Sequence, residues 1–114
     1  MRQKTICSAW IIAALLAFSA AAESPERFRV VFLGDSLTSG YELQAQDAFP
    51  SKLERKLLEI GYSNIEVLNM SADGESTSAA ADRINSVLVK RPDIVIVELG
   101  ANDALRGIDI DLVY

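Results

Sequence analysis

Three apolar runs, each closed by a polar turn, divide the chain. Phe28-Arg29-Val30-Val31-Phe32-Leu33 leads into Gly34-Asp35-Ser36-Leu37, Ile65-Glu66-Val67-Leu68 into Asn69-Met70-Ser71-Ala72-Asp73-Gly74, and Asp93-Ile94-Val95-Ile96-Val97-Glu98-Leu99 into Gly100-Ala101-Asn102-Asp103. Short apolar runs bounded by turn residues read as buried strands. The third is apolar at consecutive positions, as expected of a parallel strand covered on both faces. Between the first two runs, Asp47-Ala48-Phe49-Pro50 opens a helix, because proline suits a first turn and an acid complements the N-terminal dipole. Phe49, Leu53, Leu57 and Ile60 share one face of it, and Gly61 is its expected C-terminal cap. Between the second and third runs, Ser76 or Thr77 caps one further helix with Ala80, Ile84, Val87 and Leu88 on its apolar face, and Pro92 ends it. Strand and helix alternate, which predicts the α/β class with a parallel sheet and right-handed crossovers. No internal repeat, low-complexity tract or linker interrupts the pattern, so the chain is one domain or part of one.

In an open α/β sheet the carboxyl ends of the strands face the crevice where ligands bind. All three polar turns stand at such ends, so they can converge, and the first presents a serine hydroxyl. Taken singly, each residue has an ordinary explanation: Gly74 as a turn glycine, Asn102 as a loop residue bonding its own backbone, Tyr41 and Phe49 as packing. Taken together in this order, the turns point to one site. A phosphate-loop reading of Gly34 to Gly40 fails, because one residue too many separates the glycines and Tyr41-Glu42 stands where Lys-Ser/Thr is required. Asp73 and Glu75 add carboxylates nearby, but without the regular spacing of an oxygen-ligand metal loop.

The three blocks, with Gly34-Asp35-Ser36-Leu37-Thr38-Ser39-Gly40-Tyr41 and Val97-Glu98-Leu99-Gly100-Ala101-Asn102-Asp103-Ala104-Leu105-Arg106-Gly107 as the fuller stretches, resemble the SGNH (GDSL) hydrolase family. They look most like its periplasmic thioesterase I/arylesterase/lysophospholipase branch. The resemblance implies a three-layer α/β/α, flavodoxin-like fold, with further C-terminal strands and helices outside this chain. It implies Ser36 as the nucleophile, and an oxyanion site made by the Ser36 N–H, the Gly74 N–H and the Asn102 amide. Asp35 and Asp103 are then structural supports, and Leu105-Arg106-Gly107 belongs to a substrate-contacting loop. The substrate is a small-molecule acyl ester or thioester, and neither a metal nor an organic cofactor is required. Ala101 stands where the related thioesterases commonly carry glycine, which alters the third loop without touching Asn102.

The family takes its general base and orienting acid from a later Asp-x-x-His segment, and this chain contains no histidine. A serine hydroxyl is a weak nucleophile without an adjacent base. The expectation is therefore the front part of a longer hydrolase, inactive alone, with Ile108 to Tyr114 beginning another helix. The alternative is a noncatalytic α/β module that binds an acyl or anionic ligand in the same crevice.

The N-terminus changes the picture once more. Met1-Arg2-Gln3-Lys4 is basic, Ile6 to Phe18 mostly apolar, and Ala20-Ala21-Ala22 precedes Glu23. That is the pattern of a secretory signal peptide at 1–22, leaving 23–114 as the N-terminal part of the hydrolase domain, in the periplasm or outside the cell. The apolar core is short for a stable membrane anchor, and Cys7 lies before that core, where no lipoprotein cysteine stands. After cleavage the chain holds no cysteine, and its nine basic against 16 acidic residues argue against nucleic acid or an anionic membrane as partner.

Overall fold

The central strand of the sheet is β1 (Phe28–Gly34), flanked by β2 (Ile65–Asn69) and β3 (Ile94–Glu98) in the order β2-β1-β3, all parallel. The computed structural model describes residues 26–113; the expected signal peptide at 1–22, the three residues after it and Tyr114 lie outside the described residues. Strand alternation sends neighbouring β1 side chains to opposite faces, and both faces are packed. Val31 and Leu33 join Ala80 and Val87 in one buried cluster. Phe32, on the other face, meets the edge of Phe49 with ring centroids 4.9 Å apart. Helices therefore lie on both sides of the sheet, which is the expected three-layer arrangement. Register pairs Phe32 with Asn69 and Gly34 with Glu98, so the three carboxyl ends stand level and the polar turns leave from one edge.

Among the described residues five α-helices follow the strands: α1 (Ser36–Ser39), α2 (Phe49–Glu59), α3 (Thr77–Asp82), α4 (Ile84–Leu88) and α5 (Ala101–Leu105). Helix α2 ends as Gly61 requires. The Gly61 N–H donates to Leu58 O and the Tyr62 N–H to Leu57 O, at 3.1 and 2.9 Å, with Gly61 at φ +101°; the paired bonds form a Schellman cap.

Elsewhere the elements depart from the sequence pattern for physical reasons. Helix α2 starts at Phe49 and not at Asp47, because Ala45–Asp47 closes as a separate 3-10 turn with Ala48 as the junction. Ile60, assigned to the buried face, lies beyond the last turn and is exposed. The single helix expected after Ser76 is two: Arg83 leaves helical geometry (φ −107°, ψ 11°), and its carbonyl accepts from the Ser86 N–H and hydroxyl at 2.9 and 2.7 Å. A side-chain hydroxyl competing for a helix carbonyl is a recognised cause of such a break. Ala80 and Val87 keep their buried places, whereas Ile84 is about one-third exposed and Leu88 about half. The residues after Ile108 make only a 3-10 turn, Ile110–Leu112, begun by Asp109 accepting from the Asp111 N–H at 3.0 Å. Strand β3, expected to be covered on both faces, is covered in part: Val97 is 60% exposed and borders an apolar groove of about 510 Å3 with Leu33, Ala80, Ile84 and Leu99.

Candidate active site

The serine turn is built by its immediate neighbours. A side chain at Gly34 would place its Cβ 2.7 Å from Thr38 Oγ1 and 2.9 Å from Glu98 O, so the strand ends on the one residue that fits. Asp35 then caps α1. Its Oδ1 accepts from the Leu37 N–H at 2.9 Å, and its carbonyl from the Thr38 and Ser39 N–H groups at 3.2 and 2.8 Å. Ser36 is thereby the first residue of a one-turn helix, half-buried at the crevice. At the far end Gly40 adopts φ +87°, and a Cβ there would lie 2.6 Å from Ala48 Cβ. This glycine closes α1 against the following segment.

The second turn continues the ladder beyond β2, with Met70 and Ala72 N–H donating to Phe32 and Gly34 carbonyls, both at 2.9 Å. Asn69 ties it to the serine turn, its amide donating to Thr38 O at 3.1 Å and its Oδ1 accepting from the Ser71 N–H at 3.2 Å. Gly74 sits at φ +71°, a left-handed conformation that favours glycine. Among the described residues no acceptor takes the N–H of Gly74 or of Ser36. The neighbouring carboxylates are engaged elsewhere: Asp73 accepts from the Ser39 hydroxyl, and buried Glu75 forms a two-pronged pair with Arg83. That hydrogen-bonded pair raises the Arg83 guanidinium pKa further, above its already high ordinary value, against the opposing effect of burial. Among the described residues no three His, Cys, Asp or Glu side chains gather closely enough to hold a metal ion.

The third turn begins with Gly100 at φ +113° and enters α5. Its side chains reach back to the other two turns. Asn102 Nδ2 donates to Asp35 Oδ2 at 3.3 Å and to Glu75 O at 3.1 Å. Asp103, almost fully buried, accepts from the Thr77 N–H at 3.0 Å and the Thr77 hydroxyl at 2.8 Å. Burial pushes the Asp103 carboxyl up, but the Thr77 hydrogen bonds, its own N–H and the nearby Arg106 charge together hold it below the usual carboxylate value. Arg106 donates to Gly74 O at 2.7 Å.

Ser36, Gly74 and Asn102 thus come from three strand ends to one crevice, linked through Asp35 and Glu75. Two details go beyond the sequence reading. Asp35 holds the Asn102 amide as well as its own turn. Both hydrogens of that amide are engaged inside the protein, so one of them must be released to meet a ligand oxygen. Sequence reasoning missed Thr38, whose hydroxyl donates to Glu98 Oε2 at 2.8 Å, together with Asn69, Thr77 and the partner of Arg106. Each acts across at least 26 positions of chain, where no periodicity carries a signal. The Ser36 hydroxyl stands at these turns, with the Ser36 and Gly74 N–H groups free of acceptors among the described residues and the Asn102 amide already engaged. No described side chain is a histidine that could take the serine proton.

A family model of the GDSL-like lipase/acylhydrolase family matches residues 32–114. The chain is 38% identical over 98 residues to an arylesterase of Vibrio mimicus, covering 85% of this chain and 48% of that protein. It is 38% identical over 94 residues to thioesterase 1/protease 1/lysophospholipase L1 of Escherichia coli K12, covering 82% of this chain and 41% of the relative. Among solved structures, the SGNH-hydrolase family esterase AlinE4 superposes with a TM-score of 0.69 at 37% identity, over 80% of this chain and 49% of its own. The crystal structure of TesA gives 0.71 at 28% identity, over 75% and 47%. The chain spans about half the length, or less, of the curated relatives it matches.

Proposed function

The chain belongs to the GDSL-like lipase/acylhydrolase family, and from that premise we propose that the full-length protein is an exported serine hydrolase that cleaves carboxylic esters or acyl thioesters through an acyl-serine intermediate. The observation that supports this reading is the Asn102 amide bonded both to Asp35, next to Ser36, and to Glu75 O, next to Gly74. The names of the arylesterase and thioesterase relatives support the substrate class.

In the reaction the Ser36 oxygen attacks the acyl carbon while its proton passes to a base. The Ser36 and Gly74 N–H groups and the Asn102 amide receive the negative charge that develops on the carbonyl oxygen. Collapse expels the alcohol or thiol, which takes the proton, and water attacks the acyl-serine in a second round. A base must take that proton; the family resemblance implies a histidine from an Asp-x-x-His segment, and residues 1–114 contain no histidine. The piece Glu23–Tyr114 made by itself therefore hydrolyses nothing.

Hydrolysis of a short-chain p-nitrophenyl ester and of an acyl thioester by the full-length protein tests the reading; Ser36→Ala should abolish both, and unchanged turnover would refute it. The lack of histidine favours one competitor, a noncatalytic module for an acyl or anionic ligand, which would bind such ligands saturably without turnover. Export rests on the basic start, apolar core and Ala20-Ala21-Ala22. N-terminal sequencing of protein from the exporting host should begin at Glu23, and a start at Met1 would contradict it.

A further inference from the structure

Helix α5 holds the Gly74 turn at three successive points. Asn102 donates to Glu75 O at 3.1 Å, Asp103 accepts from Thr77, and Arg106 donates to Gly74 O at 2.7 Å. Asn102 and Arg106 are four positions apart, one above the other on the same side of the helix, so they grip two consecutive carbonyls. The turn itself is weakly closed. Its one internal backbone bond, Glu75 N–H to Ala72 O, is 3.3 Å long, and Gly74 has neither a side chain nor a right-handed backbone to restrict it.

The two grips differ in what the reaction asks of them. The Asn102 amide already spends one hydrogen on Asp35 and the other on Glu75 O. If it is to meet the acyl oxygen, one of those bonds must lengthen, and the Glu75 contact is one that then weakens the hold on the turn. Arg106 gives up none of its hydrogen bonds to the reaction, and its charge also supports the Asp103 carboxylate. Its bond to Gly74 O is the shortest of the three grips and is charge-assisted. The Gly74 N–H, two atoms away from that carbonyl carbon, has no acceptor among the described residues.

We propose that Arg106 is a positioning residue of the oxyanion site: through the Gly74 carbonyl it keeps the Gly74 N–H aimed at the acyl oxygen while the Asn102 amide turns to the same oxygen. This inference rests on the serine-hydrolase reading above. It differs from the direct substrate contact expected of Leu105-Arg106-Gly107, since the guanidinium faces the protein backbone. Its effect belongs to the transition state, so it acts on kcat and leaves ground-state binding alone.

The test uses the full-length protein with Arg106→Met and Arg106→Lys. Arg106 is exposed; its truncation removes a charge near buried Asp103, but the Thr77 hydrogen bonds to that carboxylate remain, and the melting temperatures should stay close to that of the unsubstituted protein. Arg106→Met should lower kcat about 10- to 100-fold, the range expected for one charge-assisted hydrogen bond, with KM changed by less than about threefold. Phosphonylation of Ser36 by a fluorophosphonate should slow by a similar factor, because that step also builds charge on an oxygen in the same hole. Arg106→Lys, with its charge on a single nitrogen at the end of a flexible stem, should recover part of the loss. A raised KM at unchanged kcat would make Arg106 a substrate contact and overturn the proposal, as would kcat within twofold of the parent in Arg106→Met. If Arg106→Met does not fold, full activity in Arg106→Gln would overturn it equally. An unsubstituted protein that neither hydrolyses esters nor reacts with the probe sinks the serine-hydrolase reading and this inference together; an active protein indifferent to Arg106 sinks this inference alone.

Discussion

The serine turn and the Gly74 turn leave neighbouring strands at the same edge, yet they are held by different means. The serine turn is closed from within: Gly34 admits no side chain, Asp35 caps the helix two residues on, and Gly40 folds back against Ala48. The Asp35 cap and the Gly34–Thr38 and Gly40–Ala48 contacts lie within 15 residues of chain, with Glu98 and Asn69 adding contacts from the neighbouring strands. The Gly74 turn is held from outside, by Asn102, Asp103 and Arg106 on a helix that arrives 26 or more positions later. A turn closed mainly by its own neighbours holds Ser36 with little help from the third block. A remotely held turn depends on that assembly, and its donors can be lost without unfolding anything. Damage to the first should therefore appear as lost stability, and damage to the second as lost rate.

The largest effect should come from Asn102→Ala in the full-length protein. Losing one oxyanion donor typically lowers kcat about 10²- to 10³-fold, and the fold should survive because the serine turn keeps its own bonds. Kinetics on a p-nitrophenyl ester read this directly, and near-normal kcat would remove Asn102 from the role. Gly40→Ala should do the opposite. A left-handed alanine with its Cβ 2.6 Å from Ala48 should cost about 2 to 4 kcal/mol of stability, measured by urea unfolding, while the folded fraction retains most of its turnover. An unchanged unfolding midpoint would show that the turn is not closed as described.

The smallest effect is the pH dependence of the outer hold. The folded carboxyl of Asp103 lies below its ordinary value, so its contribution is full above about pH 4, the unfolded value, and is lost as pH falls through the lower folded one. The melting temperature should fall more steeply with acid below pH 4 in the parent than in Asp103→Asn. Parallel acid limbs would mean that the Asp103–Thr77 bonds add nothing to the fold.

The same contrast explains what the sequence made legible. The second strand, the Gly61 cap, a helix cap at Ser76 or Thr77 and the turn of Gly34 and Asp35 before Ser36 follow from neighbours a few residues apart, and the structure contains them, with Ser76 as the cap. The break at Arg83 was hidden, because it depends on Glu75 and Ser86 competing for Arg83 against an otherwise regular apolar period. So were the double engagement of the Asn102 amide and the reach of Arg106 to Gly74, which only the level ends of three parallel strands bring about. The third block was recognisable as a site without revealing which of its side chains grip the second.

The central claim is that Ser36 is an activated nucleophile in the complete protein. Full-length protein treated with a fluorophosphonate probe, digested and mapped by mass spectrometry should carry one adduct per chain on the peptide containing Ser36, and none after Ser36→Ala. Ester turnover that persists while Ser36 stays unlabelled would contradict the account.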